Sequence, residues 1–536
     1  MRLPALALLA GALLPAPTQA AEQPRLIVQI TFDQLRGDLL ERYSKAFTGG
    51  FRRVLDQGYW VRHGEAAHGL TLSFPGHATL ATGLYPSHHG LTANEWWQRV
   101  GDQWQSVSVV RDARYRIVGR DGEAAPSPWQ MKGTSIGDWI KAASPSAKAI
   151  AIGSDAAIPY AGRKPDGLYW FDSRAGGYTT STYYRADRPA WVLTLNQAMG
   201  ALPRTWDLTV PDKWRALTDH PSRCPPFNAY ATRWTGGGRL LGPHRYEPAQ
   251  GETPDGSLAW LGSTPLIDEE LLRRVGDIVR AERLGADATP DYLALAIGAT
   301  DSVGHDFGPL SLEQLDTLLR LDRALGAMLD DLDREVGKGR YVVAISADHG
   351  VADPPEDRCL HRVTTAEIDA LLDRVEAIAR AHQGSRDELI GKIAAELARA
   401  PFVGDVYTEA RLASAAPDDW KAELMKRAFV AGHTTDFPLW SDKPRPFHPA
   451  RYGIVVQFKE GMTFDRATSV HGSPYAYDRL VPVIFYGAGV PARQAESGAR
   501  TADVAPTLAA LAGVATPDRL DGHALIDVSR DSGASQ

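Results

Sequence analysis

Six residues of this 536-residue chain, none decisive alone, together make a donor set for metal chemistry. Asp33 ends an apolar run, and Asp301-Ser302-Val303-Gly304-His305 sets a carboxylate and an imidazole four residues apart. Asp348-His349-Gly350 sets them side by side on a tight turn, and His471 stands in Val470-His471-Gly472-Ser473-Pro474. An Asp after a strand usually caps a helix or forms a turn, and a lone His is more often a hydrogen-bonded structural residue. Three Asp and three His gathered at strand ends, however, fit two tetrahedral zinc sites that keep open positions. Ser73 adds a nucleophile, just before Pro75 in Thr71-Leu72-Ser73-Phe74-Pro75-Gly76-His77. Proline is favoured in the first turn of a helix. A serine there feels the positive end of the helix dipole, and zinc could hold it as an alkoxide; the plainer alternative is an N-cap.

Strands must bring these residues together. Short apolar runs at Leu26 to Phe32, Ala149 to Ile152, Tyr292 to Ile297, Tyr341 to Ile345, Ile454 to Phe458 and Val481 to Tyr486 read as buried strands. A helix is expected after the first strand through about Leu55, with others over Leu312 to Val336 and Val504 to Leu511. Strands alternating with amphipathic helices predict an α/β fold, a mostly parallel central sheet with helices on both faces and inserted cap segments. In such sheets ligands gather beyond the carboxyl ends of the strands, where the Asp and His residues fall. Two stretches break the rhythm, one rich in Trp, Tyr, Pro and Gly, the other helical and then Pro-rich. The chain thus divides into a leader (1–20), core segments (21–154, 287–352 and 451–536) and inserts (155–286 and 353–450).

Hydrophobic residues at 44% and charged residues at 23% are ordinary for a globular protein and exclude a disordered tail or a fibre. Lys+Arg 58 against Asp+Glu 65 gives a net charge of -7, so no nucleic-acid partner is expected beyond nucleotide-type substrates. Arg2, the apolar run Leu3 to Leu14, and Thr18-Gln19-Ala20 form a signal peptide cleaved near Ala20. The run falls short of the roughly 20 residues that span a bilayer, which argues against an uncleaved anchor. The expectation is a periplasmic or secreted protein with no stable membrane association. Cys224 and Cys359 could pair in an oxidising compartment, but spacing leaves that open.

Asp33, the Ser73-x-Pro75-Gly76-His77 turn, Thr82-Gly83-Leu84-Tyr85-Pro86, Asn94, Asp301-x-x-x-His305, Asp348-His349-Gly350 and His471 occur in the order found in the alkaline phosphatase superfamily. The chain most resembles the bacterial phosphate-irrepressible alkaline phosphatases, whose Trp170-Phe171-Asp172 and Thr180-Ser181-Thr182-Tyr183-Tyr184 segments it shares, and the nucleotide pyrophosphatase/phosphodiesterases. The resemblance runs from about Leu26 to Leu525. It implies two Zn²⁺ ions, one on Asp301, His305 and His471, the other on Asp33, Asp348 and His349 beside Ser73. It also implies a phosphoryl-oxygen contact from Asn94 and a small-molecule phosphate ester as substrate, hydrolysed through a covalent phospho-serine.

Two departures stand out. These branches usually carry Thr where this chain has Ser73. The monoesterases also carry a Lys-x-Arg pair that contacts phosphoryl oxygens, and the matching stretch here is Gly153-Ser154-Asp155-Ala156-Ala157-Ile158. With both cations gone, a diester, bringing one negative charge rather than about two, is the favoured substrate. Arg163 or Lys164 nearby could restore a cation, which keeps the phosphomonoesterase as the alternative. A sulfatase fits less well, since its expected Arg is His77. A catalytically dead binding protein would have no physical need for the ligand set, and a carbohydrate-binding module would rest only on Trp96, Trp97, Trp104 and the other tryptophans, which better fit packing of the cap or the lining of a leaving-group groove.

Overall fold

The computed structural model describes residues 23–101, 103–160, 162–218, 224, 243–247 and 256–526. The leader read at 1–20 lies outside them. Nine strands form the main sheet: β1 (Leu26–Phe32), β2 (Tyr59–Glu65), β3 (Ala149–Gly153), β4 (Gly167–Asp172), β5 (Gly177–Thr179), β6 (Asp291–Ile297), β7 (Tyr341–Ser346), β8 (Leu480–Gly487) and β9 (Arg493–Ala495). Their order across the sheet is β9-β2-β8-β7-β1-β6-β3-β4-β5. The five central strands from β7 through β4 run parallel, whereas β8 is antiparallel to both neighbours and β5 to β4.

All seven residues of β1 are buried, as a strand covered on both faces requires. Its side chains alternate between two apolar cores, Ile27 in one and Val28 and Ile30 in the other. Apolar residues at helical spacing on Leu312–Leu332 press onto the second core, and Val504–Leu511 lies on the first.

Three expectations need correction. The helix after β1 is two helices, Gly37–Tyr43 and Gly50–Gln57. The Asp322 carboxylate accepts from the N–H groups of Thr48, Gly49 and Phe51, and a Cβ on Gly49 would lie 2.3 Å from the Asp322 carbonyl oxygen. The strand at Val455–Phe458 pairs with Val403–Tyr407 in a separate two-stranded sheet. The main sheet also draws β4 and β5 from the stretch 155–286, so that stretch shares the central hydrogen-bond ladder.

Among the described residues no helix is long and apolar enough to cross a membrane. Cys224 and Cys359 form a disulfide with Cα atoms 5.6 Å apart, joining the first inserted stretch to the loop beyond His349.

Candidate active site

Helix α1 (Ser73–Thr82) begins at Ser73 itself, with Leu72 in the N-cap position and no side-chain cap. The Ser73 hydroxyl is therefore not used as a cap, and its Oγ lies 3.5 Å from His349 Nε2. α1 rests directly on the turn after β7, since a Cβ on Gly76 would stand 2.6 Å from the Asp348 carbonyl oxygen. Asn94 Oδ1 accepts the Phe74 N–H at 3.1 Å, which leaves its NH₂ group to donate into the cleft.

Two carboxylate–imidazole clusters lie beyond the ends of β1, β6 and β7. In the first, helix α2 (Ala299–Phe307) puts Asp301 and His305 on one face, one turn apart, with His305 Nε2 3.2 Å from Asp301 Oδ1. His471, from the loop before β8, adds its Nε2 at 3.8 Å. In the second, His349 Nε2 is 3.1 Å from Asp348 Oδ2 and 3.5 Å from Asp33 Oδ1. The rings of His349 and His471 stack at 3.7 Å, joining the two clusters.

The histidines share one device. Nδ1 of His305 faces the Ser469 carbonyl at 2.7 Å, that of His471 the Thr71 carbonyl at 2.6 Å, and that of His349 the Gly350 carbonyl at 3.0 Å. Each Nδ1–H donates backwards, so each Nε2 is turned into the site and is the atom that would meet a metal. Asp33 Oδ1 and Asp348 Oδ2 are buried without a hydrogen-bond partner. Inward ring nitrogens and orphaned carboxylate oxygens are the chemistry of a divalent-metal site, so these residues fit the zinc that the resemblance implies.

His77 was missed by sequence reasoning. Its Nε2 lies 3.4 Å from Asp33 Oδ2 and 3.5 Å from Asp348 Oδ2, close enough to stand with them as a possible donor. The signal was available, since His77 is four residues after Ser73 and so one turn along the same helix face. Unlike the other three, neither ring nitrogen has a hydrogen-bond partner, and burial pushes the imidazole down to about 4. It is a neutral ring that faces Asp33 Oδ2 and the same Asp348 Oδ2 that His349 approaches.

Charge is unevenly compensated across the site. Burial, reinforced by Asp348 and Asp301, pushes the Asp33 carboxyl well up. Burial also opposes ionisation of Asp301 and Asp348, but there the imidazoles win. His305, His471 and His349 hold Asp301 well below the usual range, and His349 and His77 hold Asp348 at about 2. Asp301 in turn overcomes the burial of His305 and draws it to about 9.

Two cavities of about 550 and 560 Å³ meet at Ser73 and Asn94. Trp96, Trp97, Phe437, Trp440 and Phe464 line the first, together with His305 and His471. Ser154, Asp155, Glu95, Arg111 and Asp268 line the second, together with Asp33. Their shared wall is the hairpin of Glu95–Val100 and Gln103–Ser108.

The structure brings Asp33, Ser73, Asn94, Asp301, His305, Asp348, His349 and His471 together. Arg163 is not among them: its guanidinium is spent on the carbonyls of Met131 and Gly133, and it lines neither cavity. The missing cation at Gly153 has a steric reason. Gly153 has φ 148°, and a Cβ there would lie 2.0 Å from the Ala296 carbonyl oxygen. No side chain fits.

A serine at a helix N-terminus between two such clusters, at the carboxyl edge of a mostly parallel sheet, defines a phosphoesterase with a candidate metal centre. The chain belongs to the type I phosphodiesterase / nucleotide pyrophosphatase family, whose description it matches over residues 27–428. It is 28% identical to alkaline phosphatase PafA of Elizabethkingia meningoseptica, over 95% of each chain. It is 28% identical to alkaline phosphatase PhoK of a Sphingomonas species, over 94% of this chain and 91% of that one. The crystal structure of wild-type PafA superposes with a TM-score of 0.79 at 24% identity, covering 95% of this chain and 99% of that one, and shares the fold.

Proposed function

We propose that the chain is an exported, two-zinc phosphodiesterase that works through phospho-Ser73. Zinc ions bound by Asp301, His305 and His471 and by Asp33, Asp348 and His349 would supply Lewis acidity at the leaving and attacking oxygens. Ser73 Oγ forms the new bond to phosphorus as the bond to the leaving alcohol breaks. The electron pair departs on the leaving oxygen, which takes a proton from water. The hydroxide this leaves then attacks the phospho-serine, breaking its P–O bond to regenerate the deprotonated Ser73 and releasing a phosphate monoester. Asn94 donates its NH₂ to a non-bridging oxygen throughout. The backward hydrogen bonds of His305, His349 and His471 hold the rings in one tautomer. Export is supported by the leader composition and by a disulfide suited to an oxidising compartment.

One observation carries the preference for diesters: the wall at Gly153 to Asp155 holds no cation and cannot take one at Gly153. Three aspartates and a deprotonated serine already match the charge of two Zn²⁺ ions, so a dianionic monoester meets little positive field and a monoanionic diester suits it better. A phosphomonoesterase is the second reading, favoured by the names of relatives that align over nearly the whole chain. The test is kcat/KM for bis-p-nitrophenyl phosphate and p-nitrophenyl phosphate on one zinc-loaded preparation, with Ser73→Ala as control. A diester preference supports the proposal, and a monoester preference hands the site to the second reading. Zinc is checked separately by mass spectrometry, where less than about half an equivalent would point to a dead copy.

A further inference from the structure

Two neighbouring tryptophans on one strand of the cavity wall are used differently. Trp96 is buried, its ring stacked on His433 at 5.2 Å, and packs the hairpin against the second insert. Trp97 is half-buried and held from two sides. Its indole N–H donates to Asp436 Oδ1, and the Arg451 guanidinium lies 4.2 Å from the ring centroid over one face. An edge hydrogen bond and a cation on one face fix the plane of the ring. The surface that Trp97 lends to the aromatic cavity is then the face opposite Arg451.

The rest of that wall is fixed as well. Phe437 and Trp440 meet edge to face with centroids 5.5 Å apart, and Trp440 meets Phe464 at 5.3 Å. Thr434 pairs with Trp97 through the backbone, which ties the loop bearing Phe437 to the hairpin bearing Trp97. The cavity of about 550 Å³ is therefore lined by rings already set in place.

Its position assigns it to one arm of the substrate. Displacement at phosphorus puts the attacking and leaving oxygens on opposite sides. Ser73 attacks from beside His349, with Oγ 3.5 Å from Nε2, so the leaving oxygen faces the other cluster. His305 and His471 of that cluster line the aromatic cavity and not the polar one.

Resting on Ser73 as the nucleophile, and not on the choice between diester and monoester, we infer that the aromatic cavity receives the departing alcohol and that Trp97 selects an alcohol bearing a flat aromatic ring. That ring stacks on the face opposite Arg451. A flat ring gains contact over its whole area on an immobile partner, whereas a puckered aliphatic ring of similar size touches it at fewer points. The substrate class is an aryl or arylmethyl phosphate ester. Hydrolysis breaks the P–O bond to the aromatic alcohol, and water supplies the hydroxyl that ends on phosphorus and the proton that ends on the alcohol.

The test uses the zinc-loaded full chain and methyl 2-naphthylmethyl phosphate. Its two arms leave as primary alcohols of similar acidity, so their chemistry favours neither bond. Naphthylmethanol and methyl phosphate should outnumber methanol and naphthylmethyl phosphate by about tenfold or more, the range of one stacked ring. The same ester should exceed its decahydronaphthyl counterpart about tenfold in kcat/KM. Trp97→Ala should bring the two esters to within about twofold, and Trp97→Phe should keep most of the difference. Calorimetry on zinc-loaded Ser73→Ala gives a readout free of turnover: naphthylmethanol should bind more tightly than its decahydro form, and adding Trp97→Ala should abolish the difference. Equal turnover and binding of flat and puckered rings, or release of methanol with the naphthylmethyl arm retained, overturn the inference while Ser73 stands as the nucleophile. If neither diester is cleaved, naphthylmethyl phosphate and its decahydro form replace them, and equal rates overturn the inference. Hydrolysis that survives Ser73→Ala, or is absent throughout, means that the nucleophile reading has failed, and the inference with it. Should Trp97→Ala misfold, its melting temperature reveals it, and the wild-type products with the calorimetry on Ser73→Ala decide.

Discussion

The two clusters of the candidate centre use the same donor types in opposite electrostatic settings. Asp301 and His305 are partly open, each with 24% of the side chain exposed, and they compensate each other: the carboxylate is held ionised and the imidazole drawn up to about 9. Asp33 and Asp348 are almost fully enclosed, with neutral His77 behind them, and only one of the two ionises readily. The open cluster is one ion pair beside the His471 imidazole, whereas the closed one holds the Asp348–His349 pair and a further carboxyl, Asp33, with no counter-ion of its own. Burial separates them, because enclosing like charges penalises ionisation and enclosing opposite charges promotes it.

The largest expected effect concerns Ser73, which stands at the closed cluster without belonging to either ion pair. Ser73→Ala should lower kcat by at least about a thousandfold while the melting temperature and zinc content hold; an equal loss of zinc would make Ser73 a structural donor instead. Next comes Asn94→Ala, expected to cost about a hundredfold in kcat/KM, as one lost oxyanion-type donor does. If KM alone rises, Asn94 binds the ground state and not the transition state.

A third experiment sets the clusters against each other in chelator-treated protein. Asp33→Asn should raise the melting temperature, because it relieves a buried like-charge contact, and Asp301→Asn should lower it, because it strips His305 of its counter-ion. Each change is on the order of 1 kcal/mol. Shifts of the same sign would break the contrast.

The last of the series sharpens the open side. Asp268 accepts the Ala299 N–H at the start of the helix that carries Asp301 and His305, and burial pushes its carboxyl up to about 7. The folded chain thus holds this proton more tightly than the unfolded one, where the ordinary value is about 3.9. The stability it contributes is present below about pH 4 and lost as the pH climbs to 7. Asp268→Asn should therefore melt a few degrees higher than wild type at pH 8 and match it at pH 4.

Legibility in the sequence followed how local each determinant was. β1 and the helix Val504–Leu511 run between the residues read for them, since continuous burial and helical spacing are local patterns. Val455–Phe458 has an equally apolar run, but nothing in it shows that its partner is Val403–Tyr407 and not the main sheet. The Asp and His motifs stood out because adjacent or i, i+4 donors leave a mark within a few residues. The aromatic cavity stood out only in part: Trp96 and Trp97 suggested a groove, but that Phe437 and Trp440 complete it depends on tertiary packing. Arg163 had a suitable charge at a suitable distance along the chain, yet the carbonyls of Met131 and Gly133 claim it, and no spacing rule says where a long side chain turns.

The imidazoles of His305, His349 and His471 owe their posture to the main chain at Ser469, Gly350 and Thr71 and not to whatever lies between them. Such a centre is set before it is filled. An ion arriving after the polypeptide has closed meets donors already aimed, so loading requires little reorganisation and can follow folding instead of accompanying it. Which ion takes up residence then depends on supply and on the unfilled coordination positions, with the backbone as a neutral host.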